Sequence, residues 1–397
     1  MKRINNTRRR FLAPWSRKAV DFFPENLDAN GNIAPGADPE VDPDADPEAT
    51  RGKMLAALHD KPAVYHCISR VVDRRMVLGA QEKEKFVEYM RTYEEFCQVR
   101  VLTHCVMGNH FHILVEVPEA PEDRGASWSD EKFLKHLTCL YYGMEFRKIA
   151  GELEHLRKEG RHSEAEDHRN QYFDRMWDLS QFMKTLKQRF VQWFNKVHQR
   201  TGRLWSERFK SVLVQSGHAA RIVAAYIDLN AVRAGIVGNP EDYRWCGYAE
   251  AVAGCKRARE GLWLVVLDQL GSHFGDNLAV RQAAKWSEAA KLYRRLLFMD
   301  GEESERDRKK GRAGIAAEKV ARVLAQGGEL SEAEMLRCRM KPFADGGVVG
   351  TEGFVDRVFA MAASRFGPTR RSGARKIRNA ATPLHTLRGV RKDAITI

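Results

Sequence analysis

Val106 to Val117, VMGNHFHILVEV, is the stretch on which the reading of this chain turns. Ile113, Val115 and Val117 alternate with Leu114 and Glu116, and the β-branched content predicts a strand. Residues two apart in a strand leave the same face, so His110 and His112 project together on either side of Phe111. Two neutral imidazoles side by side on a rigid sheet form half of a divalent-metal site. On its own such a pair is more often two surface or hydrogen-bonded histidines, so the surrounding sequence has to decide. The metal reading expects both rings to face a shallow cleft and not the core.

Working outward, Gly108-Asn109 supplies a turn back to the run Val99 to Val106, making a hairpin. Before it lies Gln81 to Cys97, with Phe86, Tyr89, Met90, Tyr93 and Phe96 at helical spacing, and before that the strand-like Val64 to Val72 (VYHCISRVV). Strand, helix, strand, strand is the first half of a ferredoxin-like split βαβ unit. A charge-rich insertion, about 119–178, delays the second half. Leu179 then opens a helix with Phe182, Leu186, Phe190, Trp193 and Val197 on one face, which core packing explains better than base stacking. Thr201 to Val214, TGRLWSERFKSVLV, reads as the fourth strand, so the expected class is α+β with an antiparallel sheet. Trp205 among Arg203, Arg208 and Lys210 suits a nucleic-acid backbone with a stacked base.

Arg221 to Gly235, RIVAAYIDLNAVRAG, reads as a single helix ended by glycine. Tyr226 and Asn230 sit one turn apart on it, a phenol and a neutral oxygen ligand on the same face. Asp228 points off that face and is expected to be solvated. Tyr65, Tyr243 and Tyr248 read as packed rings with surface hydroxyls, and His66 and His104 as structural histidines.

The formal net charge of +13 over 397 residues favours a polyanionic partner. No apolar run approaches the roughly 20 residues a spanning helix needs, which argues against a membrane. The arginine-rich start lacks the apolar run of a secretory signal. Seven single cysteines without CxxC spacing read as reduced thiols of a cytoplasmic protein. Residues 1–55 join a basic arm to the acidic run PGADPEVDPDADPE (Pro35 to Glu48), whose composition predicts disorder. Residues 255–397 read as a mainly helical accessory region with amphipathic stretches at Ser287 to Leu297 and Ile315 to Leu324, a glycine-rich turn and helix within Phe343 to Ala363, and a basic tail, Arg365 to Arg378.

Taken jointly, YHCISR (Tyr65 to Arg70), MGNHFHILVEVP (Met107 to Pro118), FMKTLKQRF (Phe182 to Phe190), RTGRLWSERFKS (Arg200 to Ser211) and YIDLNAVRAGIVGNPEDYRW (Tyr226 to Trp245) resemble the REP-associated tyrosine transposases. These form a branch of the single-tyrosine HUH, IS200-like family. The resemblance implies a ferredoxin-like catalytic domain, here 56–254, that cleaves and rejoins single-stranded DNA at hairpin-forming repeats through a 5′-phosphotyrosine. It implies Tyr226 as nucleophile, His110, His112 and Asn230 as ligands of Mg²⁺ or Mn²⁺, single-stranded or hairpin DNA as partner, and a cytoplasmic, nucleoid-associated location. Monomer and homodimer both stay open. The family commonly carries Asn-Pro where this chain has Asn230-Ala231, which predicts a longer helix. The alternative is a domesticated descendant that binds repeat hairpins or structured RNA without cutting.

Overall fold

A computed structural model describes residues 62–274, 286–297, 331–361, 373–378, 380–387 and 395–396. The expected N-terminal arm, the helix at Ile315 to Leu324 and much of the basic tail lie outside these residues. The described chain divides into two compact units, one from the segments up to 77, 101–115 and 205 onward, the other from 78–100 and 116–204.

The first unit is organised on a sheet. Strands β1 (Ala63–Arg70), β2 (Arg100–Val106), β3 (His110–Val117) and β4 (Lys210–Val214) stand in the order β2-β3-β1-β4. That is the order of a split βαβ unit, and β1 pairs antiparallel with β4, Tyr65 opposite Leu213. Met107 N donates to His110 O at 2.8 Å to close the expected hairpin. The fourth strand is shorter than the sequence suggests: residues 201–209 form a loop touching the sheet through an isolated Val71–Trp205 bridge.

The expected single helix over 221–235 is two, α6 (His218–Asp228) and α7 (Asn230–Arg233), with Leu229 at φ −79°, ψ 3° between them. The break precedes Asn230, so alanine in place of proline does not lengthen this helix. It follows Asp228, whose carboxylate is pinned by Thr103 Oγ1 at 2.8 Å, Tyr248 N at 3.1 Å and Tyr293 Oη at 2.5 Å. Asp228 is therefore wholly buried, not solvated. Gly235 ends the pair at φ 68°, with Ile236 N returning to Ala231 O at 3.0 Å.

Helices α8 (Gly247–Val252), α9 (Lys256–Phe274) and α10 (Trp286–Leu297) follow, the last matching the amphipathic stretch expected there. Gly261 of α9 lies so close to the β2 backbone that an added Cβ would stand 2.5 Å from Val101 O. Beyond α11 (Glu332–Arg337), β5 (Arg339–Met340) and α12 (Lys341–Asp345), the short β6 (Val348–Gly350) pairs parallel with β4. Past α13 (Glu352–Met361), β7 (Arg375–Lys376) and β8 (His385–Thr386) extend the same sheet to seven strands, and β9 (Ile395–Thr396) pairs with β5. Among its described residues the region is mainly helical as read, while strands of two or three residues carry no alternation from which to foresee them.

The second unit is helical: α1 (Ala80–Phe96), α2 (Asp130–Leu137), α3 (Gly143–Lys158), α4 (His162–Phe173) and α5 (Leu179–Val197). Asp178 caps α5 by accepting from Ser180 N and Gln181 N at 2.5 and 2.9 Å. Phe182, Leu186 and Phe190 are buried as expected, and Phe190 meets Phe86 of α1 edge to face at 5.2 Å. In the last turn Phe194 takes the buried place, leaving Trp193 half-buried and Val197 exposed. Among the described residues no helix is long and apolar enough to cross a membrane.

Candidate active site

Strand alternation brings His110 and His112 to one face of β3, with ring centroids 5.1 Å apart. His110 is half-buried, but His112 is only 5% exposed, so this ring faces the interior and not a shallow cleft. Helix α6 carries Tyr226 to the same place. Its ring lies 6.4 Å from that of His112 and is 3% exposed.

Three further side chains complete the surroundings. The Arg233 guanidinium lies 3.9 Å from the Tyr226 ring centroid and is anchored by Nη1 donating to Leu336 O at 2.9 Å. Phe343 of α12 meets the tyrosine ring edge to face at 5.2 Å. His66 of β1 stacks on His112 with centroids 5.0 Å apart. Read as a lone structural histidine in the sequence, His66 belongs to the site. The one sequence signal was its place on the strand that pairs beside the histidine strand.

The electrostatics keep these imidazoles neutral. Burial lowers the His110 pKa to about 3, helped by Arg70, Arg339 and Arg233, and lowers that of His66 to about 4. Burial likewise drives His112 well below its ordinary value, with His66 and His110 adding to the effect. Neutral imidazoles are the form that binds metals. Asn109 Nδ2 donates to Arg74 O at 2.8 Å, which turns its Oδ1 toward His110 Nδ1, 2.7 Å away. His110 therefore donates from Nδ1 and carries its free lone pair on Nε2. Asn230, the expected amide oxygen donor, is half-buried at the start of α7. Among the described residues no group of three or more His, Cys, Asp or Glu could hold a metal ion.

The expected DNA-contacting residues divide. Arg203 and Arg208 are exposed. Lys210 is half-buried and ion-paired with Asp345. Trp205 is 7% exposed and packs edge to face on Phe111 at 5.3 Å, so the base-stacking reading of Trp205 is corrected: an indole that fills the core offers no face to a base. Tyr243 and Tyr248 are buried rings as expected, but the Tyr243 hydroxyl is also inside, donating to Val106 O at 2.7 Å.

Comparison with curated proteins gave no match. A solved structure of a REP-associated tyrosine transposase bound to a REP hairpin is 13% identical, covering 48% of this chain and 80% of its own, with a TM-score of 0.31. The family model described as "Transposase IS200 like" matches residues 61–122, the segment holding β1, α1, the hairpin and both histidines. Over that segment the chain is similar to the IS200-like transposases.

Proposed function

We propose that this chain cleaves and rejoins single-stranded DNA at hairpin-forming repeats, with Tyr226 as nucleophile and His110, His112 and Asn230 as ligands of Mg²⁺ or Mn²⁺. In this proposal residues 56–254 do the chemistry and 255–397 form an accessory region. The observation that carries it is the meeting of Tyr226 and Arg233 with the histidine pair in one place, the pair itself lying on the segment similar to IS200-like transposases.

In the reaction the Tyr226 Oη–P bond forms and the bond from phosphorus to the 3′ oxygen breaks, giving a 5′-phosphotyrosine and a free 3′-hydroxyl. The phenol loses its proton and the departing oxygen takes one up. Arg233 stabilises the phenolate as it develops, through its charge over the ring. Arg70 and Arg339 add positive charge around His110, where phosphate oxygens would come to rest. A divalent ion, when bound, supplies further positive charge to those oxygens. Return attack by a 3′-hydroxyl rejoins the strand without ATP, because the phosphotyrosine keeps the bond energy.

The test is a labelled single-stranded oligonucleotide retained on the protein band after denaturation with Mn²⁺. Wild type should give an adduct and Tyr226→Phe none, while Asn230→Ala should slow cleavage in a way that added Mn²⁺ partly rescues. No adduct under any metal would sink the cleavage reading. A second reading, a non-cutting binder of hairpin DNA or structured RNA, is favoured by one observation: Tyr226 is nearly sealed, with Phe343 against its ring. That reading expects hairpin binding without an adduct.

A further inference from the structure

His112 lies between two partners of different kinds: a site that needs a bare imidazole nitrogen, and a second histidine. His66 Nδ1 is 2.7 Å from Phe343 O, and His66 Nε2 is 2.8 Å from His112 Nδ1. A backbone carbonyl only accepts, so His66 Nδ1 carries a hydrogen. The ring is wholly buried, and a second proton would place an unpaired charge in the interior at a cost of several kcal/mol. His66 Nε2 is therefore a lone pair. It can only accept, so the hydrogen shared with His112 resides on His112 Nδ1, and His112 Nε2 is left bare.

We infer that His66 is a positioning residue: with the Phe343 carbonyl it forms a one-way hydrogen-bond relay that holds His112 in the Nδ1–H tautomer and aims its Nε2 lone pair at the metal site. The relay rests on the proposed metal reading for its purpose but not for its direction. It reaches from the carbonyl of α12, beyond the segment that matches the family model, through β1 to β3. Asn109 does the same for His110 from its neighbouring position. Both site histidines thus have their Nδ1 hydrogen held by an acceptor-only atom, the arrangement that fixes ring orientation in metal-binding histidines.

Two measurements test this. Long-range ¹H–¹⁵N NMR of the metal-free protein should show His66 and His112 both protonated on Nδ1 and bare on Nε2; a proton on His112 Nε2 overturns the relay. In His66→Phe, which keeps a stacking ring but no acceptor, His112 should lose its fixed Nδ1–H signature and Mn²⁺ affinity by isothermal titration should fall about 10- to 100-fold. His66→Gln, whose amide oxygen can accept from His112, should recover part of both, and it keeps the test open if the Phe variant does not fold. Unchanged tautomer and Mn²⁺ affinity in folded His66→Phe overturn the proposal. Wild type that shows the Nδ1–H tautomer but takes up no Mn²⁺ supports the relay and overturns the metal reading.

Discussion

Asp228 is the residue whose surroundings depart furthest from its sequence context. Burial pushes its carboxyl up to about 7, opposed by hydrogen bonds from Tyr293, Thr103 and Tyr248 N. In the unfolded chain the same group titrates near its ordinary value, so between roughly pH 4 and 7 the folded state holds a proton that the unfolded state releases. The stabilisation is complete below the unfolded pKa and is lost as pH rises through the folded one. Denaturant stability should therefore fall between pH 5 and pH 8, by on the order of a few kcal/mol. Asp228→Asn mimics the protonated acid and should flatten that part of the profile. If the wild-type and Asp228→Asn curves run parallel, Asp228 is not the titrating group.

At the scale of elements, α9 meets β2 backbone against backbone at Gly261. Gly261→Ala forces a Cβ against the carbonyl oxygens of Val101 and Leu102, which the β2 ladder cannot withdraw, so the substitution should destabilise by about 1–3 kcal/mol although alanine is the better helix former. A gain in stability on urea titration would show that α9 shifts freely over β2. Asp178→Ala removes the α5 cap and should cost about 1 kcal/mol. Hydrogen exchange should then quicken first at the amides of Ser180 and Gln181, which lose their acceptor. Equal protection in the variant would assign the cap to another group.

For the whole molecule, the governing quantity is the net charge of +13. Under the proposed function, affinity for hairpin or single-stranded DNA should fall steeply and linearly on a log–log plot against salt, because each neutralised phosphate releases counterions. Arg203→Ala with Arg208→Ala should reduce that slope by about 2 if both exposed arginines meet phosphate. Trp205→Phe, by contrast, should act on stability and leave the slope unchanged, since the indole is buried on Phe111. A slope that ignores the arginines would move the DNA path to another surface.

The local pattern by itself determined the first three strands of the split βαβ unit and the place of the fourth, the hairpin at Gly108-Asn109, the shared face of His110 and His112, and the tyrosine on a following helix. Each depends on periodicity or turn chemistry within a dozen residues. The contacts that turn these residues into a site depend on separations no local pattern encodes: Phe343 O lies 277 positions from His66, and His66 lies 46 from His112. The same limit accounts for Trp205, which carries an interface composition yet is drawn into the core by Phe111, and for Asp228, polar by type yet enclosed by three donors. Periodicity states which way a side chain points; only the packed sheet and the helices that reach it decide what it meets.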